Sequence, residues 1–365
     1  MNDLVEHVVE LAIQIQQIPA PTFHENKRAG FVRDLVAREG LENICIDGTG
    51  NVLARWTGQG QGRPLIVSAH LDTVFPLETN LRVARDSDLI HGPGLGDNSL
   101  GVAALFGLLW AFRERGLRPR GDVWLVANVC EEGLGDLRGM KAVVDRFGEN
   151  VHAYLVLEGL ALGHVYHRAV GVKRYRVTAR TSGGHSWSDY GQPSAVHELA
   201  KLVVELASLS LPVNPRTTMN VGRISGGTSV NVIASEASLD LDLRSDGQES
   251  LAALVSAVER LIQKANKAGV SIESRVIGQR PAGEIPANHP LVTLAADCLR
   301  EQGLEPGLIS GSTDANVPLS KGYPAIVLGI TTGGSAHTIH EYINTPSIAQ
   351  GMEQLVRFVG KVWSI

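Results

Sequence analysis

Apolar positions recur with helical spacing near the start of the chain. Leu4, Val8, Leu11, Ala12 and Ile15 share one face of a helix predicted over residues 2–17. A second helix is predicted over 22–39, with Phe31, Leu35 and Val36 inward and Gly40 placed to end it. Residues 51–57, 64–68 and 122–129 read as strands, and 101–115 between the last two as an apolar crossover helix. Residues 151–157 form one more short apolar run. Strands alternating with helices predict a largely parallel sheet covered on both faces.

The texture changes near Ala169. Residues 172–181 alternate as a strand, 193–209 form a helix, 217–224 and 237–243 are strands, 250–268 an amphipathic helix, and 270–277 a last strand. This β-α-β-β-α-β order is that of a small ferredoxin-like sandwich. Pro281, Pro286 and Pro290 lead back to a helix over 291–302, a strand over 325–329 and a final helix over 348–363. The expected fold is an α/β domain with a mainly parallel sheet, made of residues 1–170 and 279–365. An α+β domain of residues 171–278 is inserted into it.

A length of 365 residues exceeds a single core and agrees with two domains. The net charge of −5 gives no electrostatic footprint for nucleic acid or an anionic membrane, so neither is expected as a partner. No run of 18 apolar residues lacks a charge, which argues against a membrane span. Asp3 and Glu6 stand where a signal peptide carries lysines. Cys45, Cys130 and Cys298 show no CxxC spacing and suit reduced, buried thiols. A cytoplasmic location is the expectation.

The chemistry sits in short, scattered motifs. In Ser68-Ala69-His70-Leu71-Asp72 an apolar strand runs into His-x-Asp, where the Asp72 carboxylate can fix the imidazole for a metal. Gly92-Pro93-Gly94-Leu95-Gly96-Asp97-Asn98 lacks the spacing of a nucleotide loop; its small residues let the backbone close on a site that Asp97 enters. The strand over 122–129 ends near Glu131-Glu132, adjacent carboxylates that repel unless a cation or proton lies between them. One can bind a metal while the other moves protons between water and a leaving amine. The run 151–157 ends at Glu158, and Ser335-Ala336-His337-Thr338-Ile339-His340-Glu341 offers two histidines, either of which suits a ligand. Two imidazoles and three carboxylates make the donor set of a two-metal site sharing one carboxylate.

These motifs together resemble the co-catalytic dizinc metallopeptidases and deacylases. That family includes carboxypeptidase G, aminoacylase, acetylornithine deacetylase, succinyl-diaminopimelate desuccinylase and the bacterial tripeptidases, and the resemblance covers essentially the whole chain. It implies two zinc ions per subunit, with cobalt or manganese also accepted by such ligands. His70, Asp97, Glu132, Glu158 and His337 would be the metal ligands, with Asp97 the bridge and a cis peptide after it. Asp72 would orient His70 and Glu131 would be the general base. His337 is preferred to His340 by counting back from Glu341.

The inserted domain resembles the family's dimerisation or lid domain. Its Gly183-Gly184-His185-Ser186 matches a motif whose histidine reaches the partner's active site in a homodimer, to donate to the developing oxyanion. Asn231, in Gly226-Gly227-Thr228-Ser229-Val230-Asn231, would contact substrate, and Arg244, in Asp242-Leu243-Arg244, would clamp a substrate carboxylate. Without the resemblance Asn231 reads as a turn residue and Arg244 as an edge-strand charge. Trp187-Ser188-Asp189-Tyr190 departs from the family's smaller residues and would narrow the pocket; Gly311-Ser312-Thr313-Asp314 resembles a loop near the site and receives no role.

The implied activity is hydrolysis of an amide bond beside a free carboxylate, in a small peptide or an N-acyl amino acid. Glu158, where the di- and tripeptidases carry Asp, and Arg244 favour the carboxypeptidase and deacylase branches. A di- or tripeptide aminopeptidase is the alternative within the family. A non-catalytic binding protein is the reading outside it, and its sign would be a missing ligand or base, yet none is missing.

Overall fold

The computed structural model describes residues 2–365, which divide into two compact units. The first joins the chain through Ala169 to Glu284–Ile365, and the second is Val170–Gly283. The sequence places the insertion at 171–278; the strand Val270–Arg280 outruns that limit and the unit closes at Gly283.

The first unit is built on a nine-stranded sheet among the described residues. Its centre is four parallel strands in the spatial order Val123–Asn128, Leu65–His70, Ala153–Glu158, Ala325–Gly329. Leu65–His70 is buried at every position and Ala325–Gly329 likewise, which is why both read as unbroken apolar runs. Val52–Trp56 and Glu42–Ile46 extend one side as antiparallel strands. On the other side His164–Ala169 pairs antiparallel with Ala325–Gly329 and parallel with Gly307–Gly311. The helices Asn2–Gln16, Leu100–Glu114 and Thr345–Lys361 pack on one another in the same core. The segment Leu95–Glu114 is long and apolar enough to cross a membrane, and it is buried within this unit.

Several elements depart from the sequence pattern. The second helix starts at Asn26, past the expected residue 22, because Thr22 and Glu25 turn their side chains to the strand ends described below. The helix Arg138–Phe147 and the strands Glu42–Ile46, His164–Ala169 and Gly307–Gly311 had no sequence signal assigned to them. A separate four-stranded sheet orders Gly333–Gly334, Tyr342–Asn344, Leu89–His91 and Ala84–Asp86.

The second unit has the expected β-α-β-β-α-β order. Its antiparallel sheet runs Thr217–Gly226, Glu236–Ser245, Gly171–Thr181, Val270–Arg280. The helices Ala195–Ala207 and Gln248–Lys264 bury one face of it, on Val177, Ala179, Leu239, Leu241 and Leu243. A short ribbon pairs Gly184–His185 with Val232–Ile233.

Candidate active site

Parallel strands deliver their carboxyl ends to one side of a sheet, where ligands collect. His70 is the last residue of Leu65–His70, and Glu158 the last of Ala153–Glu158. Glu131 and Glu132 follow Val123–Asn128 after Val129 and Cys130, and His337 comes from the loop beyond Ala325–Gly329. Asp97 enters on an irregular helical turn, Leu95–Ser99, that leads into the buried helix.

Asp97 stands between the two imidazoles. Its Oδ1 lies 3.1 Å from His70 Nε2 and its Oδ2 lies 2.9 Å from His337 Nε2. Glu158 Oε2 is 3.7 Å from His70 Nε2, and Glu132 Oε1 is 3.1 Å from His337 Nε2. Two triads result, His70–Asp97–Glu158 and Asp97–Glu132–His337, and Glu131 joins His70 and Glu132 in a third group. Within each group the donor atoms lie within 4.8 Å of one another. Imidazole nitrogens and carboxylate oxygens at such separations, with one carboxylate common to both triads, fit two divalent ions of the zinc, cobalt or manganese type. His340 is exposed and enters no such group among the described residues.

The loop carrying Asp97 is held from both sides. Leu89–His91 pairs with Tyr342–Asn344, which brings the Gly92–Ser99 stretch beside the His337 loop. Glu341, fully buried, accepts backbone N–H groups from Gly96 (2.7 Å), Asp97 (2.9 Å) and Gly94 (3.1 Å). Gly94 sits at φ 72°, a left-handed conformation that favours glycine. The peptide bond after Asp97 is cis, as the resemblance implied. The next side chain, Asn98, donates to Leu157 O and accepts from Gly159 N, both at 2.8 Å, and so brackets Glu158. A Cβ on Gly159 would meet the Gly96 carbonyl at 2.0 Å, which is the close backbone approach expected from the small residues.

Asp72 works differently from the expectation. His70 Nδ1 bonds the Asp72 main-chain carbonyl at 3.0 Å, while the carboxylate stays 3.6 Å away. That carboxylate instead accepts the backbone N–H of Glu131 through Oδ1 and of Glu132 through Oδ2, both at 2.9 Å, and the Thr22 hydroxyl at 2.9 Å. The peptide amides lie within closer reach than the ring, so Asp72 holds both glutamates as well as the histidine.

Imidazoles and carboxylates packed this closely shift one another's pKa values. Burial works against charge on His70, yet the Asp72, Asp97 and Glu158 carboxylates around it raise its pKa well above the usual value. His337 is pushed up to about 10 by Asp97 and Glu132. Burial raises Asp97, but the two histidines prevail and lower it; Glu158 is raised by its burial despite His70. Burial pushes Glu341 up to about 7 and Asp314 up to about 7. Asp314 is fully buried and accepts from Asn128 Nδ2 at 2.6 Å, with His70, Glu158 and Asp72 acting on its charge. From the sequence Glu341 is only a marker for counting and Asp314 has no role; in the structure Glu341 holds the Asp97 backbone and Asp314 bonds Asn128, the register partner of His70.

The second unit carries the remaining candidates. His185 lies on the short ribbon and Asn231 just before its second strand, where Ser186 N donates to Asn231 O at 3.0 Å. His185 Nδ1 accepts from Trp187 N at 3.2 Å, which places the ring proton on Nε2 as a donor. Arg244 lies elsewhere, on the strand Glu236–Ser245; its Nε donates to Asp242 at 2.6 Å, and Arg174 Nε donates to the same carboxylate at 2.8 Å.

A parallel-centred sheet whose strand ends gather imidazoles and carboxylates around one shared aspartate defines the metallopeptidase class of amide hydrolase. The chain belongs to peptidase family M20/M25/M40, whose sequence profile matches residues 66–361. It is 25% identical to a putative succinyl-diaminopimelate desuccinylase, DapE, of Mycobacterium tuberculosis, over 99% of this chain and 100% of that one. It is 25% identical to carboxypeptidase G2 of a Pseudomonas species, over 85% and 76% of the two chains. The crystal structure of a Staphylococcus aureus tripeptidase shares the fold, with a TM-score of 0.85 at 21% identity over 99% of each chain.

Proposed function

We propose that the protein is a zinc-dependent hydrolase with a two-ion site, cleaving an amide bond next to a free carboxylate in a small peptide or N-acyl amino acid. The observation that carries the reading is the division of Asp97: one carboxylate oxygen faces His70 and the other His337. His70, Asp97 and Glu158 would hold one ion; Asp97, Glu132 and His337 the other. Two such ions, when bound, polarise the scissile carbonyl and make water acidic enough to attack near neutral pH.

Glu131 lies in the same cluster, held through its backbone by Asp72. It takes the proton of the attacking water and returns it to the departing nitrogen. His185 would donate from Nε2 to the developing oxyanion of the partner's site in a homodimer. Arg244, anchored at Nε by Asp242, would present its remaining N–H groups to the substrate carboxylate, with Asn231 a further contact. The relatives named as a desuccinylase and a carboxypeptidase support this branch. The fold shared with a tripeptidase favours the second reading, an aminopeptidase for di- or tripeptides.

Amine release from N-acyl amino acids, dipeptides and tripeptides, with and without chelator, tests the reading. Chelator-sensitive cleavage of N-acyl amino acids or C-terminal residues is the expected result. Cleavage confined to free-amine tripeptides would establish the aminopeptidase instead.

A further inference from the structure

Three consecutive backbone N–H groups at the base of the site are each taken by a buried carboxylate. Asp72 accepts those of Glu131 and Glu132, and Glu25 Oε1 accepts that of Cys130 at 3.1 Å. Glu25 stands at the N-cap of the helix Asn26–Arg38, a position from which Ser, Thr, Asp or Asn side chains bond the helix's own amides. Here it makes no such bond. Its Oε1 also accepts from Phe23 N at 3.0 Å and from the Cys130 thiol at 3.5 Å, and the residue is 4% exposed.

The residue it grips has an unusual backbone. Cys130 has φ 59°, in the left-handed region that residues with a Cβ rarely enter. This turn separates the end of the strand Val123–Asn128 from the two glutamates and redirects the chain. Close by, the buried Arg28 guanidinium donates to Leu71 O at 2.7 Å and to Ile18 O, and its charge acts on both Asp72 and Glu25. One short stretch, from Thr22 to Arg28, thus ties the His70–Asp72 strand end to the Cys130–Glu132 turn.

We infer that Glu25 is a positioning residue for amide hydrolysis: through the Cys130 N–H it sets the turn that aims Glu131 and Glu132 into the cluster. This rests on the reading of Glu131 as base and Glu132 as ligand given above. Burial, with Glu25 beside it, pushes the Cys130 thiol up to about 12.

The test compares Glu25→Ala, Glu25→Asp and Glu25→Gln with Glu131→Ala. Gln keeps an accepting oxygen at the same reach, whereas Asp keeps the charge but falls short. In metal-free protein, Ala and Asp should speed amide hydrogen exchange in the peptide spanning Cys130–Glu132 by about tenfold, the worth of one lost hydrogen bond. With zinc saturating, they should lower kcat by about 10- to 100-fold with KM little changed, while Gln restores both readouts. If Ala does not fold, the contrast between Asp and Gln decides. Native exchange and kcat in Asp, or a Gln variant no better than Asp, would overturn the inference. Native turnover in Glu131→Ala would overturn the reading on which it rests, and the exchange contrast would then still decide whether Glu25 sets the turn.

Discussion

Glu341 accepts the backbone N–H of Asp97 at 2.9 Å, joining the shared carboxylate of the cluster to the loop that carries His337. The same side chain also takes the N–H groups of Gly94 and Gly96. One buried acid thus anchors the loop that bears the carboxylate common to both triads.

Glu341→Ala leaves three amides without their acceptor, each costing about 1–3 kcal/mol where it stays buried. Zinc affinity should fall about 10- to 100-fold, as for other residues that support ligands from behind. Competition with a coloured chelator reads this directly; native affinity would show that Asp97 is held well enough without Glu341.

His337→Ala should lose metal from one triad, because His337 Nε2 is the atom facing both Asp97 and Glu132. His340→Ala should keep the full metal content, its side chain being exposed and outside every candidate group. Metal analysis after dialysis separates the two, and the reverse pattern would make His340 the ligand.

Stability should depend on pH in opposite ways with and without metal. His337 rises from 6.5 to about 10 on folding, so its contribution is present below 6.5 and lost as pH climbs through about 10. Asp314 and Glu341, raised to about 7, also bind protons more tightly when folded and lose their contribution through about 7. The Tm of metal-free protein should therefore fall as pH rises from 6.5 towards 10. The stabilisation conferred by zinc should grow over the same range, because the ligands bind only when deprotonated. A metal-free Tm that rises with pH would contradict the assignment of these shifts.

If His185 serves the partner's site, His185→Ala and Glu131→Ala chains should each be nearly inactive alone. Co-expressed, they should recover activity, since a mixed dimer has one site with both groups intact. Absence of recovery in purified mixed dimers would exclude the role in trans.

The parallel core and the inserted sandwich were legible because buried strands read as apolar runs and the insert's strands alternate. The residues His70, Glu132 and Glu158 were legible for the same reason: each follows such a run. Strands of two or three residues, such as Leu89–His91 and Gly333–Gly334, carry too little periodicity to be seen. The pairing of Leu89–His91 with Tyr342–Asn344, which brings Asp97 to His337, was hidden with them. Glu25, Asn98 and Glu341 act through main-chain bonds, and Asp314 through the Asn128 side chain, on partners distant in sequence, and no local spacing marks such bonds. Asp72 was legible as a supporting acid but not in its aim, because reach to a peptide amide against an imidazole is decided by the turn geometry.

Metal stoichiometry measured beside turnover, in the native protein and in Glu131→Ala, tests a two-ion site worked by Glu131 most directly. Two ions per chain are expected in both proteins, with turnover in the variant lower by about 10²- to 10⁴-fold. A single ion per chain, or native turnover without Glu131, would contradict the account.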